Sequence, residues 1–371
     1  MDFLHTSVKT TLPESNEVSP AVLPLVTVAL ATYNEEDFVA RCLRSLLAQR
    51  TKVFALEILV IDGGSTDRTC EEVLKVAAAD SRIKLLRNPD REAAFAWNIG
   101  IEQGTGTYFC TFGAHSVYAP DYIETCLNAM LRDGATACGG RVITKPGRQT
   151  LTARLIAWVL GHSFGSSGNS FRTHGPGPID SPAFPVIDRK ALQEIGGFNT
   201  ALVRNEDNDI CRRLREADHL LICTWDTQFE YYPRASLKGI LHYAFRNGYW
   251  VPIGARHHPK TMRLRHFVPF IFTLCLLVST LAAGLALALH APKLWLLPLL
   301  AVAGSHLLVG SVAALQVAAR ERSAAPLLLP PLFMAFHGSY GMGTLAALLT
   351  NARPARNAAK TANVASVPPL A

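Results

Sequence analysis

Small polar and acidic side chains stand at the ends of two apolar runs in the first part of the chain. Runs that are apolar on both faces and separated by a helical pattern predict neighbouring parallel strands. Ligands of open α/β sheets bind outside the carboxyl ends of such strands. We therefore expect a nucleotide pocket at these ends. The residues concerned are Thr32, Asn34 and Glu35 after the run 26–31, and Asp62 and Gly63 after the run 56–61.

Strand and helix patterns alternate around these residues, which is typical of βαβ units. The sequence predicts a half-Rossmann, mostly parallel sheet with flanking helices. We expect Asn34 to cap the first helix and Asp67 to cap the second. The predicted strands are 25–31, 56–61, 83–87 and 107–112, and the predicted helices are 38–47, 69–79 and 92–103.

The pattern is more mixed after the fourth predicted strand. A helix over 120–132 and a strand over 137–144 precede the segment 161–185, which is rich in Gly, Ser and Pro. An irregular stretch of that length is usually functional or mobile. Helices are predicted over 189–195 and 205–217. Three acids in the first turn of the second of these favour the helix dipole, namely Glu206, Asp207 and Asp209.

Three long stretches near the C-terminus contain no Asp, Glu, Lys or Arg. Each exceeds the roughly 20 apolar residues that cross a bilayer, so we expect a membrane protein with two to three spanning segments. Pro330, Pro331 and His337 interrupt the third stretch, which is therefore either re-entrant or packed against the other two. The stretches are 267–290, 294–319 and 323–352.

The net charge of +7 indicates a membrane surface rather than nucleic acid, because basic residues gather just before the first apolar stretch. Juxtamembrane Lys and Arg mark the cytoplasmic side and attract acidic lipid headgroups. We expect a multi-pass protein of the inner (plasma) membrane whose N-terminal domain faces the cytoplasm. Arg353, Arg356 and Lys360 favour the same side for the C-terminus. The juxtamembrane residues are Arg256, His257, His258, Lys260, Arg263, Arg265 and His266.

The eight cysteines are scattered without CxxC spacing, which predicts reduced core residues rather than a zinc site. The first residues lack an apolar h-region, so no cleaved signal peptide is expected. The predicted divisions are an N-terminal tail (1–24), an α/β domain (25–235), an interfacial amphipathic and basic segment (236–266), an α-helical membrane region (267–350) and a flexible tail (351–371).

Four motifs occur in a fixed order: Thr32-Tyr-Asn-Glu-Glu36, Val60-Ile-Asp-Gly-Gly-Ser-Thr-Asp67, Asn98-Ile-Gly100 and Asn205-Glu-Asp-Asn-Asp209. Together they resemble the family-2 glycosyltransferases of GT-A fold, and the nearest likeness is to membrane-bound transferases of succinoglycan-type exopolysaccharide assembly. The likeness covers about residues 25–249, and residues 337–343 resemble the last hydrophobic segment of that subgroup. It implies an inverting hexosyltransferase that uses a nucleotide sugar, such as a UDP-sugar.

The resemblance implies roles for the two strand ends. Thr32, Glu35 and Asp62 would hold the nucleobase and ribose, with the Asp62 carboxylate accepting from a uracil-type N–H. Asn34 and Gly63 belong to the same motifs. Asn98 would support the nucleotide sugar from the helix beneath it. The alternative for Asp62 is that it merely closes a turn with Gly63.

The metal motif of the family, Asp-x-Asp or Asp-Ala-His, falls on Gly113-Ala-His115 in this chain. The first acid is missing, so the usual carboxylate cage is incomplete. His115 would bind Mn²⁺ or Mg²⁺ together with diphosphate oxygens, because such an ion commonly takes only one or two protein ligands. The alternative is that His115 is simply a polar residue at a strand end.

The resemblance assigns the catalytic base to the acidic motif, with Asp207 as the base and Glu206 as its support. An acceptor hydroxyl is a poor nucleophile, and a carboxylate in hydrogen-bond reach takes its proton as the anomeric carbon loses diphosphate. A single in-line displacement inverts that carbon. Dipole capping is the alternative, and Asp209 fits it better than Asp207 does.

The Gln-x-x-Arg-Trp signature of processive synthases is not matched, so transfer of a single sugar is expected. Arg234 or Arg246 would meet the leaving diphosphate, although either could instead meet lipid headgroups. The expected partners are a nucleotide-sugar donor, a membrane lipid-linked saccharide acceptor and membrane lipids. The alternatives are a polyprenyl-phosphate sugar synthase and a catalytically silent membrane scaffold, for which Gly113 is the best support. The oligomeric state is left open.

Overall fold

A computed structural model describes residues 23–168 and 170–352. The predicted tails therefore fall largely outside the described residues, as do Arg353, Arg356 and Lys360. Nine strands of the described chain form one sheet. They are β1 (Leu25–Thr32), β2 (Ala55–Asp62), β3 (Ile83–Arg87), β4 (Tyr108–Gly113), β5 (Ser116–Tyr118), β6 (Ala137–Thr144), β7 (Gly177–Pro178), β8 (Val186–Asp188) and β9 (Leu221–Tyr231).

Helices cover both faces of the sheet and continue into the apolar C-terminal region. The α-helices of the described residues are α1 (Val39–Leu47), α2 (Thr69–Ala77), α3 (Ala93–Gln103), α4 (Tyr122–Asp133), α5 (Leu151–Gly161), α6 (Ser163–Ser166), α7 (Arg189–Glu194), α8 (Glu206–Glu216), α9 (Leu237–His257), α10 (Val268–Ala288), α11 (Leu297–Glu321) and α12 (Leu329–Leu349).

The strands lie in the order β3-β2-β1-β4-β8-β6-β9-β5, and β7 pairs with β9. The first four are parallel, which confirms the predicted mostly parallel α/β fold. Thr32 at the end of β1 lies beside Asp62 of β2, and Ala31 lies beside Gly113 of β4. The carboxyl ends of these three strands therefore meet at one edge. Antiparallel pairing of β8 with β4 and β6 begins the mixed half of the sheet.

The parallel strands are apolar on both faces because a helical layer packs on each. Val28 and Leu30 of β1 belong to one buried cluster together with Leu43 of α1. Ala29 points to the opposite face, where α3 packs. A Cβ atom at Gly100 of α3 would lie 2.6 Å from the Cβ of Ala29, so this helix approaches the sheet through glycine.

The N-cap residues of α1 and α2 differ from the predicted ones. α1 begins after Phe38 with no side-chain cap, so the prediction that Asn34 caps it is wrong. The Asn34 Oδ1 atom instead accepts from the Thr66 N–H at 2.9 Å in the neighbouring loop, and Asn34 adopts a left-handed conformation to reach it (φ 54°). The N-cap residue of α2 is Arg68 and not the predicted Asp67, although Asp67 Oδ1, one residue earlier, accepts from the N–H of Thr69 at 3.0 Å.

Strand β9 and helix α5 were not predicted. Trp225 and Asp226 are exposed in the middle of β9, so the strand lacks the alternation by which half-buried strands are found. The segment 161–185 is largely irregular, as expected, and carries only the short α6 and β7 in its described residues.

Three described helical segments are long and apolar enough to cross a membrane: Leu264–Ala288, Lys293–Glu321 and Ala325–Leu349. They match the three predicted stretches. α10 and α11 expose large apolar side chains along their length, including Leu281, Leu285 and Leu308. Such surfaces require a lipid environment, and the chain is a membrane protein.

α12 packs along α9, the helix of the predicted interfacial segment. Ser339 Oγ donates to the carbonyl of Leu241 at 2.8 Å, and Thr344 Oγ1 donates to that of Gly248 at 2.9 Å, so the two helices run parallel. A Cβ at Gly248 would lie 1.9 Å from the carbonyl oxygen of Tyr340. The third apolar segment is thus packed closely against its neighbours, in agreement with one of its two predicted arrangements.

Candidate active site

A cavity of about 730 Å³ lies between the α/β domain and the membrane helices. Its polar wall contains the acidic motif at the start of α8, and its apolar wall contains the first turns of α10 and the middle of α12. The residues used below that line it are Trp97, His115, Arg172, Phe184, Arg204, Glu206, Asp207, Arg265, His266, Val268, Pro269, Phe272, Phe336 and Tyr340.

The acidic pair stands at the start of α8, after Asn205 in a left-handed conformation (φ 64°). Burial raises the pKa of Glu206 to about 8, with a further contribution from the charge of Asp207. Burial also raises the pKa of Asp207. The Glu206 Oε2 atom has no hydrogen-bond partner among the described residues. The pair therefore retains a proton near neutral pH, and its proton affinity suits exchange with a reacting group.

Asp209 in the same turn has a different role. It is fully buried, and its two oxygens accept from Arg212 and Arg213 at 2.9 Å each. These ion pairs fix the start of α8 against the turn that precedes it. Asp209 is thus held by ion pairs within α8, whereas Asp207 forms no salt bridge with the residues that the structure describes.

The Asp62 carboxylate is occupied by its own loop. Oδ2 accepts from the N–H groups of Gly64 and Ser65 at 2.9 Å each, and Oδ1 accepts from Ser65 Oγ at 2.5 Å and from Thr32 Oγ1 at 3.3 Å. These four bonds use about all the acceptor sites of a carboxylate. Asp62 is buried and is not part of the cavity wall. The Asp62 carboxylate therefore closes the turn that follows β2.

The loops after β1 and β2 are held to each other by hydrogen bonds. The N–H of Asn34 donates to Ser65 Oγ at 2.9 Å, and that of Glu35 donates to Thr69 Oγ1 at 2.7 Å. Gly63 follows Asp62 where the chain passes close to Arg91: a Cβ at Gly63 would lie 2.9 Å from the Arg91 carbonyl oxygen. The small and polar residues of both motifs thus build a rigid edge at the strand ends.

Glu35 connects this edge to the cavity. Its Oε1 atom lies 3.2 Å from Nδ1 of His115, which lines the cavity and contacts the ring of Tyr231 edge-on. Glu35 and His115 therefore link the loop after β1 to the cavity wall, whereas Thr32, Asn34 and Asp62 do not line the described cavity.

The position two residues before His115, where the family motif has its first Asp, holds Gly113. A Cβ at Gly113 would lie 2.5 Å from the ring of Phe184, so an aromatic side chain of the irregular segment occupies that space. In the residues that the structure describes, no group of three His, Cys, Asp or Glu side chains converges to hold an ion. Glu35 and His115 are a pair of potential ligands, and a full protein cage is absent from the described chain.

Asn98 acts on the backbone of a neighbouring turn. Its Nδ2 donates to the carbonyl of Phe198 at 2.9 Å, and its Oδ1 accepts from the N–H of Phe198 at 2.8 Å. Its amide is therefore paired in both directions and holds the turn at Gly196 and Gly197. Asn98 would therefore support a nucleotide sugar only indirectly, by holding this turn in position.

Arg234 and Arg246 lie beside the cavity and are not part of its described wall. Burial lowers the pKa of Arg246, and the positive charges of Arg204 and Arg234 lower it further. Arg204, which precedes the acidic motif directly, lines the cavity and donates to Asn247 Oδ1 at 3.4 Å. The sequence analysis missed Arg204, although its position next to the acids is a usable signal.

Trp97 was also missed. Its ring contacts that of Phe198 with centroids 4.9 Å apart, and its indole N–H is buried without a partner among the described residues. Because a buried donor without an acceptor is costly, this N–H is a candidate contact for a ligand in the cavity. A tryptophan inside a predicted helix gave no sequence signal of this kind.

Residues 27–196 match the family model described as glycosyl transferase family 2. Together with the parallel sheet and the strand-end motifs, this match identifies a family-2 glycosyltransferase domain of GT-A fold in this chain, as the motifs predicted. The chain is therefore an enzyme of the glycosyltransferase class.

Two curated relatives cover most of the chain. One is the succinoglycan biosynthesis protein ExoA of Rhizobium meliloti, 28% identical over 265 residues, which are 71% of this chain and 78% of that protein. The other is the dolichyl N-acetyl-alpha-D-glucosaminyl phosphate 3-beta-D-2,3-diacetamido-2,3-dideoxy-beta-D-glucuronosyltransferase of Methanococcus voltae, 26% identical over 273 residues, which are 71% of this chain and 84% of that protein.

A solved structure shares the fold. It is the mannosyltransferase PcManGT from Pyrobaculum calidifontis in complex with GDP-Man and Mn²⁺, with a TM-score of 0.53 and 20% identity, covering 90% of this chain and 88% of that one. The coverage extends beyond the α/β domain, so the likeness includes part of the C-terminal helical region.

Proposed function

We propose that the chain is an inverting glycosyltransferase that moves one sugar from a nucleotide sugar to a membrane lipid-linked saccharide in the synthesis of an exopolysaccharide or other surface glycan. One observation carries this proposal: the cavity that contains Glu206 and Asp207 is continued by Val268, Phe272 and Phe336 of the membrane helices. A lipid-linked acceptor needs this combination of a polar reacting end and an apolar end beside the bilayer. The names of the two curated relatives, a succinoglycan biosynthesis protein and a transferase acting on a dolichyl-linked sugar, support the same class of acceptor.

Asp207 is the proposed base, with Glu206 as its support. Asp207 faces the cavity and accepts from the Asn208 N–H at 2.7 Å, while burial raises the pKa of the neighbouring Glu206 to about 8. An ionised Asp207 takes the proton of the acceptor hydroxyl as that oxygen attacks the anomeric carbon and the diphosphate leaves from the opposite side. Arg204, with Arg234 and Arg246 behind it, provides positive charge for the leaving diphosphate.

The nucleoside is proposed to bind at the edge formed by Thr32, Asn34, Glu35 and Asp62. The Thr32 bond to Asp62 is the longest of the four at this carboxylate, at 3.3 Å. A nucleobase N–H would replace this bond most easily. Gly63 keeps the turn narrow, and Asn98 holds the adjoining turn at Phe198.

A divalent ion, Mn²⁺ or Mg²⁺, would be held by His115 together with Glu35 and by oxygens of the donor. When bound, such an ion neutralises charge on the diphosphate. The rest of the positive charge near the cavity comes from arginines of the chain itself. The α/β domain is proposed to face the cytoplasm of the inner membrane, because basic residues precede α10.

Transfer to a polyprenyl phosphate itself is the second candidate, because the apolar side chains of Phe272 and Phe336 in the cavity wall suit an isoprenoid chain. A silent scaffold accounts less well for the acids, because Glu206 keeps an unpartnered buried oxygen that contributes nothing to stability. Scaffolds have no need of such a group.

The test uses the full chain in detergent micelles with a panel of nucleotide sugars and lipid acceptors. We expect release of a nucleoside diphosphate, a product of inverted anomeric configuration by NMR, and a loss of at least about 100-fold in kcat for Asp207→Asn with nucleotide affinity retained. Asp226→Asn is the matched control, since Asp226 is exposed on β9. Equal activity of wild type and Asp207→Asn would overturn the role of Asp207. A wild type that binds no nucleotide would overturn the enzyme assignment.

A further inference from the structure

Three arginines converge on one aspartate at the membrane end of the cavity. The Asp180 Oδ1 atom accepts from Arg215 at 2.7 Å and from Arg263 at 2.8 Å, and its Oδ2 atom accepts from Arg265 at 3.2 Å. Asp180 belongs to the irregular segment, Arg215 to the end of α8, and the other two arginines to the connection between α9 and α10. The cluster thus ties three separate parts of the chain together.

The cluster has a surplus of two positive charges. Within the described residues, Asp180 is the single acidic partner of each of the three guanidiniums. Burial acts to raise the pKa of Asp180, but the hydrogen bonds and charges of Arg215 and Arg263 outweigh it and hold the pKa at about 2. One carboxylate offers about four acceptor sites to about fifteen guanidinium N–H groups, so most of these donors are available to a further anion.

The surplus positive charge lies where the polar wall of the cavity meets its apolar wall. Arg265 and His266 line the cavity, and Val268 and Pro269 of α10 follow immediately. The Arg215 and Arg265 side chains are sheltered, with 27% and 24% of their surface exposed, so they face the interior more than the bulk solvent. An anion held here would sit beside the first turn of α10.

We propose that Arg215, Arg263 and Arg265 bind the phosphate group of the lipid acceptor, while Asp180 holds the guanidiniums in position. This inference rests on the proposed function and assigns residues to the lipid end of the acceptor. Each phosphate esterified on both sides carries about one negative charge near neutral pH, so the diphosphate that links a saccharide to an isoprenoid lipid carries about two, which matches the surplus. Guanidinium groups bind phosphate oxygens in a fixed, bidentate geometry, and the isoprenoid chain then continues along the apolar wall at Phe272.

The probe pair is citronellyl diphosphate and citronellol, which share a short isoprenoid chain and differ in the phosphate. Calorimetry with the full chain in neutral detergent should show binding of the diphosphate and at least about tenfold weaker binding of the alcohol. Arg263→Gln/Arg265→Gln should weaken diphosphate binding at least about tenfold. Arg256→Gln is the matched control, because Arg256 is a juxtamembrane arginine at the end of α9 without an acidic partner in the described chain.

The remaining outcomes separate a folding defect from a loss of phosphate binding, and this inference from the proposed function. Nucleotide binding by the double variant verifies that it is folded, and Arg263→Lys/Arg265→Lys should retain part of the phosphate affinity. Equal diphosphate binding by the wild type and the Gln variant would overturn the inference, and so would displacement of the probe by an equal mole fraction of phosphatidylglycerol, which would show a general headgroup site. Wild type that binds the probe through these arginines and transfers no sugar would overturn the proposed function alone. Transfer with an acceptor KM that the Gln variant leaves unchanged would overturn this inference alone.

Discussion

The Nδ1 atom of His115 lies 3.2 Å from the Oε1 atom of Glu35, and this contact joins the strand-end loops to the wall of the cavity. Glu35 is held from behind, because its backbone N–H donates to Thr69 Oγ1 at 2.7 Å. The position of His115 therefore depends on the edge of the sheet that the two motifs build.

His115 and Glu35 should act as one unit. His115→Ala and Glu35→Gln are each expected to lower kcat/KM for the donor at least about tenfold, and the double variant should lose little more, because each change already breaks the same contact. Steady-state kinetics across a Mn²⁺ titration measures this. His219→Ala is the control, since His219 contacts Thr136 instead. Losses that add fully in the double variant would show that the two side chains work independently.

Glu206 should make the folded state less stable as the pH rises. Its pKa is about 8 in the folded protein against an ordinary value of 4.5, so between these values the folded state binds more protons than the unfolded state. Stability should fall over this window by up to about 1.4 kcal/mol per pH unit. Glu206→Gln should flatten that part of the profile of the free energy of unfolding. If the free energy of unfolding of the Gln variant had the same slope as that of wild type between pH 5 and 8, the assignment of a bound proton to Glu206 would be contradicted.

The space beside Gly113 is taken by Phe184. Gly113→Asp alone should destabilise the fold by about 1–3 kcal/mol, because the new side chain meets the ring of Phe184 at 2.5 Å. Gly113→Asp/Phe184→Ala should recover part of that stability and bind Mn²⁺ more tightly than wild type, since it adds a carboxylate near His115. Thermal unfolding and a Mn²⁺ binding titration test both points, with Phe184→Ala as the control. A double variant with wild-type Mn²⁺ affinity would argue against an ion at His115.

The close packing of α9 on α12 should depend on Gly248. A Cβ there would lie 1.9 Å from the Tyr340 carbonyl oxygen, so Gly248→Ala should lower the stability of the solubilised protein by about 1–3 kcal/mol. Gly338→Ala on α12 is the matched control, because nothing lies within 4 Å of a Cβ at that position. The midpoint of thermal unfolding in detergent distinguishes the two. Equal midpoints for both variants would mean that the helices separate in micelles.

Local sequence determined the parallel strands, the flanking helices and the apolar helices. Burial of a strand on both faces and the length of a membrane-spanning helix both follow from runs of neighbouring residues. The different role proposed for Asp207 stays a prediction, and the structure adds that Asp209 forms ion pairs with Arg212 and Arg213. The membership of the family followed from the order of the motifs, since each motif sits at a strand or helix end that the pattern itself locates.

Tertiary structure alone decided which polar atoms are available. The Asp62 carboxylate accepts hydrogen bonds from its own loop. The Asn98 amide bonds to the backbone of Phe198, which lies 100 positions away in the chain. Phe184 fills the space beside Gly113. Arg215, Arg263 and Arg265 all donate hydrogen bonds to Asp180. These contacts join segments that are distant in sequence. Because such hydrogen-bond and charge partners do not produce a periodic pattern of residue types, the sequence alone did not predict them.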